Sequence, residues 1–232
     1  MMKLQRSRDR RHVRSKTQEL WMTFDRRNAA DPFHGGFRAL GLLNEVKMRP
    51  GTELQLQSDG NQESVTYVRE GGLMIRHRPR GDEFLGPGSY ERANSHQVMH
   101  TGAPERSHAQ GAHIFVSSLT PQKQGEESSC ERKHSPFSDR HGNLRLIASP
   151  NGCAASLRLQ QDVRIYSSVL DRGHHLVHEL SPGRGAWLHV VAGRLQIADQ
   201  TLEAGDGASL DGEPAVSFTA QDSCEILLFD LA

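Results

Sequence analysis

Thirteen histidines in 232 residues are the first place to look for chemistry. Imidazole is the commonest metal ligand and titrates nearest neutrality. His96 and His100, with His108 and His113 further on, form a loose group that reads first as surface or loop residues. His174, His175 and His178 form a second group. His189 alternates with Trp187 and Val191 in an apolar run and reads as a hydrogen-bonded histidine within a strand. Carboxylates and phenols offer another chemistry. Between Pro50-Gly51 and Gly71 lie Asp59, Glu63 and Tyr67, and Tyr90, Glu91 and Arg92 follow Pro87-Gly88. Two carboxylates and a phenol gathered in one cavity can transfer protons, because burial raises the pKa of one carboxyl. The competing reading is a solvated cavity in which the carboxylates hold water or an arginine. Arg76-His77-Arg78-Pro79-Arg80 reads as a solvated basic hairpin tip. No Gly-rich phosphate loop, Gly-x-Ser-x-Gly elbow or Cys-x-x-Cys pair occurs.

Composition bounds the function. Lys and Arg number 28, as do Asp and Glu, so no net field draws the chain to nucleic acid or to an anionic membrane. Cys130, Cys153 and Cys224 are odd in number and far apart, which argues against a disulfide framework and for a reducing compartment. The basic start lacks an apolar run, and no stretch approaches the roughly 20 apolar residues of a membrane span. The expectation is a cytoplasmic protein.

The elements that must position these groups are short strands. Phe37–Leu43 reads as a buried strand. From Val46 to Leu119, alternating segments are split by Pro50-Gly51, Gly71-Gly72, Arg80-Gly81 and Pro87-Gly88. The segment 121–143 is polar, lacks a hydrophobic period and reads as an exposed linker. From Leu144 the same grammar resumes. Thr66-Tyr67-Val68-Arg69-Glu70-Gly71, a hairpin and Gly86-Pro87-Gly88 are echoed by Trp187–Gly193, a hairpin and Glu203-Ala204-Gly205-Asp206. Such a repeat predicts an all-β chain of two similar barrels, with domains at 1–120 and 144–232.

On these residues the sequence resembles the pirin family of bicupins. In the first half the likeness rests on Trp21-x-Thr23-Phe24, Asp31-Pro32, Gly36-Phe37-x-Ala39-Leu40, Asn44, Pro50-Gly51, Thr66-Tyr67-Val68-x-Glu70-Gly71 and Pro87-Gly88. In the second it rests on Leu144–Pro150, Gln161-Asp162-Val163-Arg164, His178-Glu179-Leu180, Pro182-Gly183-Arg184 and Gly205-Asp206-Gly207. The resemblance implies two cupin β-barrels, a metal of the iron kind in the first and, in some members, oxidation of flavonols such as quercetin. It also implies where metal ligands belong. A His-x-His pair falls at Gln57 and Asp59, and a His-x-Glu pair at Thr101 and Ala103. All four are changed, and a site wanting three or more converging imidazole or carboxylate ligands cannot be assembled from them.

The first-barrel site is therefore expected to be degenerate and to hold no metal or other cofactor. A substitute site of Asp59, Glu63 and His100 requires a bulge at Thr101-Gly102 to turn His100 inward. Parity set by the former ligands points Gln57, Asp59, Glu63 and Tyr67 into the barrel. Asp59, Glu63, Tyr67 and His100 are the expected acid–base groups, and Gln57, Asp59, Tyr67 and Thr101 the expected ligand contacts. The expected partner is a small organic molecule, bound in the first barrel by a metal-independent enzyme. A non-catalytic binding or regulatory protein, and an unusual dioxygenase, are the alternatives. The second barrel's equivalent positions, Glu179, Ser181 and Gly185, hold no ligand set.

Overall fold

The structure is a computed structural model describing residues 1–57, 62–77, 81–94, 97–102, 111–120 and 129–232; at 54–57, 76–77, 81 and 97–102 it describes the backbone alone. The strands of the first half are β1 (Met2–Gln5), β2 (Arg11–Arg14), β3 (Gln18–Met22), β4 (Leu40–Met48), β5 (Glu53–Gln57) and β6 (Glu63–Gly71). They continue with β7 (Leu73–His77), β8 (Gly81–Leu85), β9 (Ser89–Asn94), β10 (Gln97–Gly102), β11 (Ala112–Leu119) and β12 (Ser129–His134). A four-residue helix, α1 (Phe137–Arg140), leads to β13 (Arg145–Ser149), β14 (Leu157–Arg158), β15 (Val163–Leu170), β16 (His175–Glu179) and β17 (Gly185–Ala192). The last strands are β18 (Arg194–Ile197), β19 (Gln200–Glu203), β20 (Gly207–Asp211), β21 (Ala215–Ala220) and β22 (Cys224–Leu231). None of the described helices is long and apolar enough to cross a membrane.

The strands form two units. One holds Arg11–Phe24 and Leu40–His134; the other holds Met1–Arg10, Asp25–Ala39 and Ser135–Ala232. Each has a seven-stranded and a four-stranded sheet among the described residues. In the first unit the orders are β12-β9-β6-β11-β4-β3-β2 and β5-β10-β7-β8. In the second they are β1-β20-β17-β22-β15-β13-β14 and β16-β21-β18-β19. The orders superimpose element by element, so β22 corresponds to β11, β17 to β6 and β16 to β5. The repeat in the sequence is a repeat of barrels.

The boundaries differ from those read in the sequence. The first ten residues do not belong to the first barrel: β1 pairs with β20, putting Met2 opposite Leu210 and Leu4 opposite Ala208. Residues 25–39 also join the second unit, where Phe33 meets Trp187 edge-on at 5.1 Å. Within the expected linker, Ser129–His134 form β12, which pairs with β9 along its length. The run expected as a strand from Phe37 begins only at Leu40, because Arg38 turns the backbone at φ 52°.

The core of each barrel lies between its two sheets. In the first, Val46, Val68, Ile114 and Val116 from the large sheet pack with Leu73, Ile75 and Leu85 from the small one. In the second, Leu188, Val190, Ile226 and Leu228 pack with Leu195, Ile197, Val216 and Phe218. The repeated glycine has a steric cause. Gly71 and Gly193 adopt φ 71° and 74°, and a Cβ there would lie 1.7 Å from the Gly111 carbonyl oxygen and 2.1 Å from that of Ser223. Only glycine accepts both the left-handed backbone and that approach.

Candidate functional site

The face of the first barrel's large sheet that carries its core is apolar at one end and polar at the other. Along β6 the inward residues run from Val68 to Thr66 and Ser64, and along β11 from Ile114 through Val116 to Ser118. The register carries the same face to β9, where Thr66 pairs with Glu91 and Ser64 with Ala93. From there it reaches β12, where Glu91 pairs with Arg132 and Ala93 with Cys130. The polar end therefore gathers Ser64, Thr66, Glu91, Ser118, Cys130 and Arg132. Ser118 donates to Gln62 Oε1 at 2.6 Å, beside the segment that holds the former ligand positions.

Glu91 is the centre of this arrangement. Its carboxylate is 1% exposed, accepts a hydrogen bond from Cys130 Sγ at 3.1 Å and has Arg132 Nη2 at 3.5 Å. Arg132 also forms an ion pair with Glu83 on β8. Burial pushes the Glu91 carboxyl up from its ordinary 4.5 to about 7, with the Cys130 hydrogen bond opposing. A carboxyl titrating near neutrality inside a barrel is equipped both to donate and to accept a proton. Sequence reading noticed Tyr90-Glu91-Arg92 but gave Glu91 no role. The signal lay in its spacing from the Pro87-Gly88 turn, which fixes the register of β9 and hence its inward face.

The structure separates the residues expected to line the cavity. Val68 belongs to the barrel core, so Tyr67 lies on the opposite face of β6. There it is stacked on Tyr90 at 4.6 Å and on Phe115 at 6.3 Å. Glu63 has the same parity as Tyr67, and Arg92 Nε lies 3.7 Å from its carboxylate. The expectation that Tyr67 and Glu63 face the barrel interior is thus corrected. Facing read from β5 does not carry over to β6, which is a separate strand in a different sheet.

Asp59 and Ala103 lie outside the described residues. Gln57 ends β5 opposite Gln97. His100 pairs with Ile75 and Thr101 with Met74, with no register shift from Met99 to Gly102. The ladder that pairs His100 with the core residue Ile75 has no bulge at Thr101-Gly102, where a substitute metal site would require one. His113, from the first histidine group, lies on the other face, 2.9 Å from Glu45 Oε1. In the second barrel His178 Nε2 lies 3.0 Å from Asp230 Oδ2, and His189 is fully buried.

Two barrels of one strand order, antiparallel except for the β13–β14 pair, define a bicupin fold. Residues 146–231 match the model of the quercetinase C-terminal cupin domain. The quercetin 2,3-dioxygenase of Escherichia coli (strain K12) is 27% identical over 237 residues, covering 100% of this chain and 99% of that one. A pirin-like protein of Caulobacter vibrioides is 29% identical over 209 residues, 87% of each chain. The crystal structure of the bacterial pirin YhhW from Escherichia coli, in complex with nickel(II), has a TM-score of 0.86 at 25% identity, covering 100% of this chain and 99% of that one. These likenesses support the resemblance to the pirin bicupins that the sequence carries.

Proposed function

We propose that this pirin-like bicupin has lost the family's metal site and uses the polar end of its first barrel to bind a small organic molecule and move a proton on it. The observation that carries the reading is Glu91, a buried carboxyl on the barrel's inner face pushed up to about 7. Relatives named quercetin 2,3-dioxygenase and the nickel(II) complex of a neighbour mark the group that the fold would hold. The donor set at the corresponding positions, Gln57, Asp59, Thr101 and Ala103, offers one carboxylate, one amide and no imidazole. It does not suit iron or nickel, which take several imidazole or carboxylate ligands.

In this reading Glu91 is the acid–base group, Cys130 and Arg132 position its carboxylate, and Asp59 and His100 contribute from the neighbouring segments. Tyr67 and Glu63 act from the opposite face of β6 by fixing its position. A protonated Glu91 donates to an oxygen of the ligand; once ionised, it takes up a proton from it. The same site without turnover would serve a binding or regulatory protein.

Quercetin is the first probe, because a flavonol is what the relatives' names indicate. The expected result is saturable quenching of quercetin fluorescence, weakened at least ten-fold by Asp59→Ala and by Glu91→Gln and unchanged by His189→Gln. Oxygen uptake with quercetin that a chelator suppresses would overturn the reading in favour of a metal-dependent dioxygenase.

A further inference from the structure

The end of the second barrel that corresponds to the polar end of the first is also polar. Ser118 is the penultimate residue of β11, and Asp230 holds the same place in β22. Asp230 shares its face of the sheet with Leu228 and Ile226 of the barrel core, and pairs with Arg164 on one side and Ala186 on the other. Two residues along β15, Tyr166 pairs with Leu228 and packs against the same core. On β16, the counterpart of β5, His178 pairs with the core residue Val216.

The side chains at this mouth fall into two sets. Arg184 is committed. Its Nε pairs with Asp230 Oδ1, its Nη1 lies 2.9 Å from Asp162 Oδ1, and its Nη2 donates to the Asp230 carbonyl at 3.0 Å. That set fastens the turn before β17. The second set keeps polar atoms open. Arg164 Nη1 stands 3.8 Å from Asp230 Oδ2, beyond hydrogen-bond distance, and the Arg164 side chain is 40% exposed. Tyr166 is half-buried and makes no hydrogen bond among the described residues. His178 gives Nε2 to Asp230 at 3.0 Å, which leaves Nδ1, and its ring lies 4.7 Å from that of Tyr166. Burial works to raise the Asp230 carboxyl, but hydrogen bonds from His178 and Arg184 overcome it and hold it below its ordinary value. Burial and the Asp230 charge push the Tyr166 phenol up, so it stays a donor at neutral pH.

We propose that the mouth of the second barrel, formed by Arg164, Tyr166 and His178 around Asp230, binds a small organic carboxylate. Asp230 and Asp162 both hold Arg184, which leaves Arg164 as the cation of this mouth with no hydrogen-bonded carboxylate among the described residues. Arg164 carries a guanidinium fork matched to a carboxylate, with the Tyr166 hydroxyl beside it. Leu176, partly buried against the same core as Tyr166, supplies apolar surface for the body of an acid. This site is independent of the reading of the first barrel.

The test is calorimetric titration of the full chain with benzoate, and with benzamide as its uncharged counterpart. Benzoate should bind saturably and benzamide at least ten-fold more weakly. Arg164→Gln and Tyr166→Phe should each weaken benzoate about ten-fold, the loss expected for one charge-assisted hydrogen bond. Arg164→Lys, which keeps the charge without the fork, should fall between. Glu91→Gln, in the first barrel, should leave benzoate binding unchanged. Absence of saturable binding to the wild-type chain would overturn the proposal. So would benzoate binding that survives both Arg164→Gln and Tyr166→Phe in proteins with wild-type circular dichroism, or that is lost with Glu91→Gln alone.

Discussion

Glu91 and the three cysteines are where single side chains speak most clearly. A carboxyl raised from 4.5 to about 7 binds its proton more tightly in the folded chain than in the unfolded one. Its contribution to stability is complete below pH 4.5 and is lost as pH rises through about 7. The difference of about 2.5 units corresponds to about 3 kcal/mol. Glu91→Gln should therefore match the wild-type chain in urea unfolding near pH 4.5 and exceed it by up to about 3 kcal/mol at pH 8, so that the variant's stability is flatter across that range. Equal slopes in the two proteins would mean that Glu91 is not buried as a neutral acid. The cysteines divide by environment. Burial among apolar side chains pushes the Cys224 thiol up to about 12, and it is 1% exposed. Cys153 is exposed and Cys130 half-buried. Iodoacetamide at pH 8 should modify Cys153 readily and Cys130 more slowly, leaving Cys224 untouched until the chain unfolds. Mass mapping of the modified peptides reads this directly.

Among the elements, the strands near the start of the chain were the least legible in the sequence. The start of the chain read only as basic, yet Met2 and Leu4 alternate with Lys3 and Gln5, and both apolar residues pack against the core of the second barrel. That is a period-two pattern four residues long, overwhelmed by the surrounding arginines. A partner strand 200 residues away cannot be read from it. The strands from β4 to β11 were legible because glycine and proline mark their ends. The inward face of β6 was not, because parity restarts after every loop. Turn residues thus gave the order of elements, while facing needed the register. β1 is fastened at its end by Asp206, whose carboxylate accepts from Arg6 Nη1 at 3.0 Å, Ser7 N at 2.7 Å and Glu203 N at 3.2 Å. Its side chain is 6% exposed. Asp206→Ala leaves buried donors unmatched and should cost about 2–4 kcal/mol in urea unfolding. Asp206→Asn, which keeps part of the acceptor capacity, should cost less. A loss below about 0.5 kcal/mol would show that β1 is not held by this residue.

At the scale of the whole molecule, the two barrels are repeats that have exchanged their outermost strands. In the first unit the strand beside β9 is β12, which lies in sequence just before the second barrel. In the second unit the strand beside β20 is β1, from the start of the chain. The second barrel also depends on residues 25–39. Phe33 and Phe37 pack against Trp187 at 5.1 and 6.1 Å, and Arg38 donates to the Gly183 and Leu231 carbonyls and pairs with Asp211. The piece that sequence punctuation suggests as a domain, 144–232, lacks all of these. It would expose the edge of β20 and the ring of Trp187, which is fully buried in the intact chain. An isolated 144–232 fragment should accordingly aggregate or unfold at low denaturant, with Trp187 fluorescence shifted to the red of its emission in the full chain. Adding a peptide of residues 1–10 restores the β1 edge but not the Phe33 and Arg38 contacts, so it should recover only part of the stability. A fragment 144–232 that unfolds cooperatively at the denaturant midpoint of the full chain's second barrel would show that the exchanged segments are dispensable. The full chain should instead tie the integrity of the second barrel to its own first residues, so that trimming Met1–Arg6 lowers the unfolding midpoint of the Trp187 signal even though Trp187 lies far along the sequence.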